Sequence, residues 1–97
     1  ALQHAVPVPS LVKMDVEGFE LRALRGMKAL LTAPGRPRFL IEVSEGSLRD
    51  AGDSREELAA LMAEHGYVEQ VVSMIRPSSH PHHGDCIQYD ALFTPRP

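Results

Sequence analysis

Tryptophan is absent from this chain, and only two tyrosines and three phenylalanines stand in for it. That is too few aromatic rings for a platform on which bases or sugars stack. Cysteine occurs once, at Cys86, so no internal disulfide can form, which fits a reducing compartment. No stretch approaches the roughly 18 apolar residues of a membrane span. The first residues lack the basic-then-apolar order of a secretory signal. Basic residues are in the minority, with a formal charge of -3 and a pI near 5.9, and the arginines are scattered. A nucleic-acid partner would want a basic face. The seven glycines include no G-x-G run. What these absences leave is one small cytoplasmic domain with no membrane or nucleic-acid partner.

What is present is an alternation of apolar runs and breakers. "VPVPS" within residues 1–10 favours an extended lead-in. Residues 11–16 read as a strand, and their near-continuous apolar run suits a strand buried on both faces of a parallel sheet. Gly18 breaks it. A helix is predicted over 19–31, with Ala23, Leu24, Met27, Leu30 and Leu31 as its buried stripe. "APGRP" ends that helix. "RFLIEVS" at 38–44 is a second strand, with Phe39, Ile41 and Val43 on one face and Leu40 and Glu42 on the other.

"EGSLRDAGD" reads as a polar loop. Ser54 and Glu57 form a capping box for a helix that buries Leu58, Leu61 and Met62 and stops at Gly66. A third strand is predicted over 67–74, a ten-residue loop "RPSSHPHHGD" follows, and a fourth strand runs over 86–94. The order β-α-β-α-β-β implies parallel strands joined by right-handed crossovers, closed by an antiparallel pair. This is an α/β pattern. Two helices on one face leave the other face bare. That face is expected to be apolar too, whether it carries the Val12, Met14 and Val16 row or its opposite. The domain is therefore expected to be incomplete alone or to dimerise.

Charged residues punctuate the apolar runs. Lys13 and Glu42 sit inside strands that are plausible neighbours, and a buried charge needs a partner. Lys13 is expected to pair with Glu42, or with Asp15 on its own face; Glu42 facing a cleft as a substrate or metal contact is the alternative. His80, His82, His83, Asp85 and Cys86 are all competent metal ligands. They lack a C-x-x-C or H-x-x-x-H frame, so the expectation is a solvated connection and no metal.

"LVKMDVEGFELRALRGMKALL" followed by "PRFLIEV" resembles the FkbM-type methyltransferases. Their hallmark is an apolar strand ending K-x-D-V-E-G, an acid two residues on, L-x-G, and a strand ending E-V. Lys13, Asp15, Val16, Glu17, Gly18, Glu20, Leu24, Gly26, Glu42 and Val43 match it. The resemblance is strong over 11–44; beyond that it rests on element order and the closing "YDALF". It implies a Rossmann-like fold using S-adenosylmethionine, with the pieces here as its strands 4 to 7 and the last inserted antiparallel. The glycine-rich turn after strand 1 and the ribose-holding acid after strand 2 are not in this sequence. Residues 1–97 are thus expected to be one partial domain, the C-terminal half of such a fold, with the main cofactor-binding half elsewhere.

The resemblance implies a site at the carboxyl end of the first strand, where α/β folds place their ligands. Asp15 and Glu17 become the catalytic candidates: a carboxylate there takes the proton from an acceptor hydroxyl, or holds a cation that lowers the hydroxyl pKa. Lys13, Glu20 and Glu42 become acceptor-binding candidates, and Gly18 a conformational one. Simpler roles compete: Asp15 as a helix cap, and Glu17 and Glu20 as first-turn acids worth about 0.3–1 kcal/mol against the helix dipole. The implied reaction is O-methylation of a sugar or small natural product, with the missing half or a second copy as partner. Two other readings are a non-catalytic interaction module and a metal-dependent hydrolase built on Asp15, Glu17 and Glu42.

Overall fold

A computed structural model describes residues 11–15, 18–33 and 35–96. Among these described residues, nine elements follow in order: β1 (Leu11–Met14), α1 (Glu20–Gly26), α2 (Lys28–Thr32), β2 (Arg38–Ser44), α3 (Glu45–Asp50), α4 (Arg55–Glu64), β3 (Tyr67–Val71), β4 (Arg76–His80) and β5 (Gly84–Pro95). β1 and β2 pair in parallel, from Leu11 opposite Arg38 to Met14 opposite Ile41. β5 lies antiparallel between β2 and β3, so the sheet runs β1-β2-β5-β3. This is the mixed α/β order expected of the C-terminal part of a Rossmann-like methyltransferase sheet, antiparallel insertion included.

Alternation along the strands builds the core. Phe39, Ile41 and Val43 of β2 and Tyr89, Ala91 and Phe93 of β5 are buried on one face. Leu21 and Leu24 of α1, Leu31 of α2, Leu48 of α3, and Leu58 and Met62 of α4 close over them. Each large side chain so buried contributes about 1.5–3 kcal/mol. The predicted stripe is graded: Leu24 and Leu31 are fully buried, while Ala23, Met27, Leu30 and Leu61 pack at its margin. α4 starts as its sequence requires, with Ser54 Oγ accepting from the Glu57 N–H at 3.1 Å. It stops before Gly66, at φ +76°.

Four expectations are corrected. The helix over 19–31 is two helices. Gly26 weakens its middle, and the Met27 N–H turns to the Leu24 carbonyl at 3.0 Å in a tight i–3 bond. Within the polar stretch 45–53, residues 45–50 are not loop but α3, anchored by one buried side chain, Leu48. A single apolar residue leaves no periodicity to read; packing supplies the helix.

The ten-residue loop is replaced by a hairpin: β4 pairs with the start of β5 around a turn at Pro81–His83. Pro77 fits because β4 is an edge strand. Between Val71 opposite Ala91 and Arg76 opposite Gln88, five steps on one side face three on the other, which is a bulge. It is held by the Val72 N–H on the Asp90 carbonyl (2.9 Å) and the Asp90 N–H on Ser73 Oγ (2.8 Å).

The fourth correction concerns the uncovered face. Val12 and Met14 pack toward the helices, and Val16 lies outside the described residues. The opposite row is mixed rather than apolar: Lys13, Leu40 and Glu42, then Asp90, Leu92 and Gln70 across the register.

Arg36 ties the helix ends together. Its guanidinium donates to the carbonyls of Leu31 (2.9 Å), His65 and Gly66 (3.3 Å), at the C-terminal ends of α2 and α4, where a cation suits the helix dipole. It also stacks 4.8 Å over the Tyr67 ring. Burial pushes the Tyr67 hydroxyl pKa up, and that hydroxyl donates to the Pro37 carbonyl at 2.8 Å. Tyr67→Phe leaves this buried carbonyl unsatisfied. A loss of about 1–3 kcal/mol is expected in urea unfolding, and an unchanged midpoint would show that the bond contributes nothing.

Candidate functional site

Two hollows open where β1 and β2 end, and they meet at Glu42. The first, about 240 Å³, is lined by Lys13, Met14, Asp15, Leu40, Glu42 and Asp90. The second, about 290 Å³, is lined by Glu20, Glu42, Ser44, Ser47 and Gln88. Asp15 is exposed one residue beyond β1, two residues from Lys13. Glu42 and Asp90 stand directly opposite each other on β2 and β5. A groove of carboxylates and hydroxyls therefore follows the carboxyl ends of two parallel strands, the place where open α/β sheets hold ligands.

Like charges directly opposite across a sheet repel, so the Glu42–Asp90 pair needs offsetting cations. Arg76 of β4 reaches Glu42 at 4.0 Å. Both side chains are more than a third exposed, so the pair is worth about 0–1 kcal/mol. Lys13 is not Glu42's partner. It is exposed and forms no ion pair within 4.0 Å of another described residue. It stands in the groove among Asp15, Glu42 and Asp90 as a donor open to an incoming group.

Glu20 is 1% exposed at the start of α1, and its carboxylate accepts the Gly18 N–H at 2.9 Å. It thus holds the β1–α1 turn while lining the second hollow. Gly18 has φ +99°, and a Cβ there would lie 2.3 Å from the Ser47 carbonyl oxygen. The turn is pressed onto the backbone of α3. Glu17 lies outside the described residues.

His80, His82 and His83 gather around Asp50, and none of them lines this groove. His80 Nε2 lies 2.9 Å from Asp50 Oδ2, while His83 Nε2 and His82 Nδ1 lie 3.1 and 3.4 Å from Asp50 Oδ1. Burial opposes ionisation of Asp50, but the hydrogen bond from His82 and the charge of His80 outweigh it and hold the carboxyl pKa below its usual value. Asp85 is exposed in β5, opposite Ser79, and takes no part. Cys86 is buried, its thiol 3.9 Å from the His83 carbonyl.

Several residues of the groove and of the histidine cluster escaped the sequence reading. Asp90 was legible in principle: Tyr89 and Ala91 face inward, so Asp90 must face Glu42's side. Ser47 and Asp50 gave no signal, because both depend on α3 forming.

At the carboxyl end of β1 the groove does not make a seat for S-adenosylmethionine. Such a seat needs glycines left open to a ligand. Gly18, at the carboxyl end of β1, has its Cβ space filled by Ser47, and Gly46 has its space filled by the His80 ring. The acids and hydroxyls of the groove suit a ligand that carries hydroxyls.

The Methyltransferase FkbM domain matches residues 2–69, which is 68 of the 97. The match runs from before β1 into β3; β4 and β5 lie beyond it. No curated protein and no solved structure gives a match.

Gly18→Ala places a side chain at positive φ against backbone that cannot yield. Adding the cost of that conformation to that of overpacking gives an expected loss of about 2–5 kcal/mol in denaturant unfolding. A variant as stable as the parent would mean that the turn does not press on α3.

Proposed function

This chain belongs to the FkbM methyltransferase family, and on that premise we propose that its groove is the acceptor side of an O-methyltransferase. The observation that carries the reading is the meeting of Lys13, Asp15, Glu42 and Asp90 at the carboxyl end of β1. Asp15 accepts the proton of the acceptor hydroxyl as its oxygen becomes bonded to carbon. Lys13 and the carboxylates of Glu42 and Asp90 hold neighbouring hydroxyls, and Ser44 and Ser47 extend the contact surface toward the second hollow. A polyhydroxylated acceptor, a sugar or small natural product, matches this density of acceptors and donors. Methyl transfer demands an in-line approach more than elaborate chemistry, so fixing the acceptor oxygen is the main contribution of these residues. The family implies S-adenosylmethionine as donor, and residues other than those described would hold it.

The test is methyl transfer by the intact polypeptide from labelled donor to a panel of sugars and polyols. Methyl ether formation is expected, and Asp15→Asn should lower kcat by about 10²–10⁴-fold with the fold unchanged. An Asp15→Asn enzyme of parental rate, or label appearing only on nitrogen, would overturn the assignment.

A further inference from the structure

We propose that Asp50, His80 and His83 bind one divalent ion of the zinc class, which clamps the β4–β5 hairpin to α3. One ligand atom from each of the three lies within 4.8 Å of the other two. The nearest approaches, 2.9 Å from His80 Nε2 to one carboxylate oxygen and 3.1 Å from His83 Nε2 to the other, fall a few tenths of an ångström short of the edge of a zinc tetrahedron. Bonds of 2.0–2.1 Å at the tetrahedral angle give an edge of about 3.3 Å. Two imidazoles and a carboxylate are a donor set that zinc accepts, with a fourth place left over. Water takes that place, or His82, whose Nδ1 is already 3.4 Å from Asp50. The two histidine ligands are mostly shielded, with 17% and 28% of their side chains exposed, while Asp50 opens the site to solvent at 44%.

The site is built by tertiary structure. Gly46 and Asp50 are four residues apart on α3 and so share a face. The His80 side chain lies over Gly46, where a Cβ would meet three of its atoms at 2.8 Å, and its ring reaches Asp50 from there. The turn at Pro81–His83 then brings His83 to the second carboxylate oxygen.

The His82 N–H donates to His80 Nδ1 at 3.1 Å. An ion bound through Nε2 leaves the proton of a neutral imidazole on Nδ1, so the His82 N–H must then turn away. The turn therefore rearranges on loading while β4 and β5 stay paired.

The experiment is zinc titration of the tag-free, chelator-stripped full chain by calorimetry, with cobalt absorption as a second readout. One equivalent per chain, a tetrahedral cobalt spectrum and a Tm that rises with zinc are expected. Asp50→Asn and His83→Ala should each weaken binding by more than the roughly 10–100-fold that loss of an outer partner costs. Gly46→Ala removes no ligand and favours the helix, yet should weaken binding by displacing His80. Asp85→Asn should bind as the parent does. Absence of stoichiometric binding would leave only a hydrogen-bonded clasp and overturn the proposal. So would equal binding by Asp50→Asn and the parent, or dependence on Asp85. Methyl transfer is not among these readouts, so the metal site and the acceptor groove stand or fall separately.

Discussion

Everything in this domain hangs on the antiparallel seating of β5 between β2 and β3. That strand is 12 residues long and bonds along both edges, to β2 on one side and to β3 and then β4 on the other. Its inward residues, Tyr89, Ala91 and Phe93, complete the buried face begun by Phe39, Ile41 and Val43. The pleat then dictates that Asp90 and Leu92 face the other way. A slip of one residue would bury Asp90 and expose Phe93, so the hydrophobic pattern fixes the register. The register, in turn, puts Asp90 opposite Glu42 and furnishes one wall of the groove.

The short helix α3 is the second hinge of the arrangement. At one side its Ser47 backbone receives Gly18 and so fixes the turn that follows Asp15. At the other, Gly46 and Asp50 receive the histidines of the hairpin. Leu48 between them goes to the core. Six residues thus link the end of β1, the hairpin tip and the interior. The helix forms because three tertiary contacts converge on it, in spite of a sequence with little helical pattern.

The parts legible in the sequence are those whose signal is local. β2 alternates cleanly, Ser54 and Glu57 mark a helix start, and Gly66 marks its end. The parallel pairing of β1 and β2 follows from one helical crossover, and the family motif located Asp15 and Gly18 where strand meets helix. The parts that were not legible depend on distant partners. β4 carries Arg, Pro, two Ser and His, which propensity reads as loop, and becomes a strand only because β5 offers an edge. Asp50 lies 30 or more residues from the histidines it joins. Lys13 and Glu42 looked like a pair because both interrupt apolar strands. Arg76, placed by the hairpin, is nearer to Glu42.

The central claim is that the register of β5 makes Asp90 and Glu42 two walls of one acceptor site. The direct measurement is the steady-state kinetics of Asp90→Asn and Glu42→Gln in the intact polypeptide, with acceptor and methyl donor varied in turn. Each carboxylate that holds an acceptor hydroxyl contributes about 1.5–3 kcal/mol, so KM for the acceptor should rise about 10–100-fold in each variant. KM for the donor should stay where it is. An unchanged acceptor KM in both variants, or a change confined to the donor, would contradict the account.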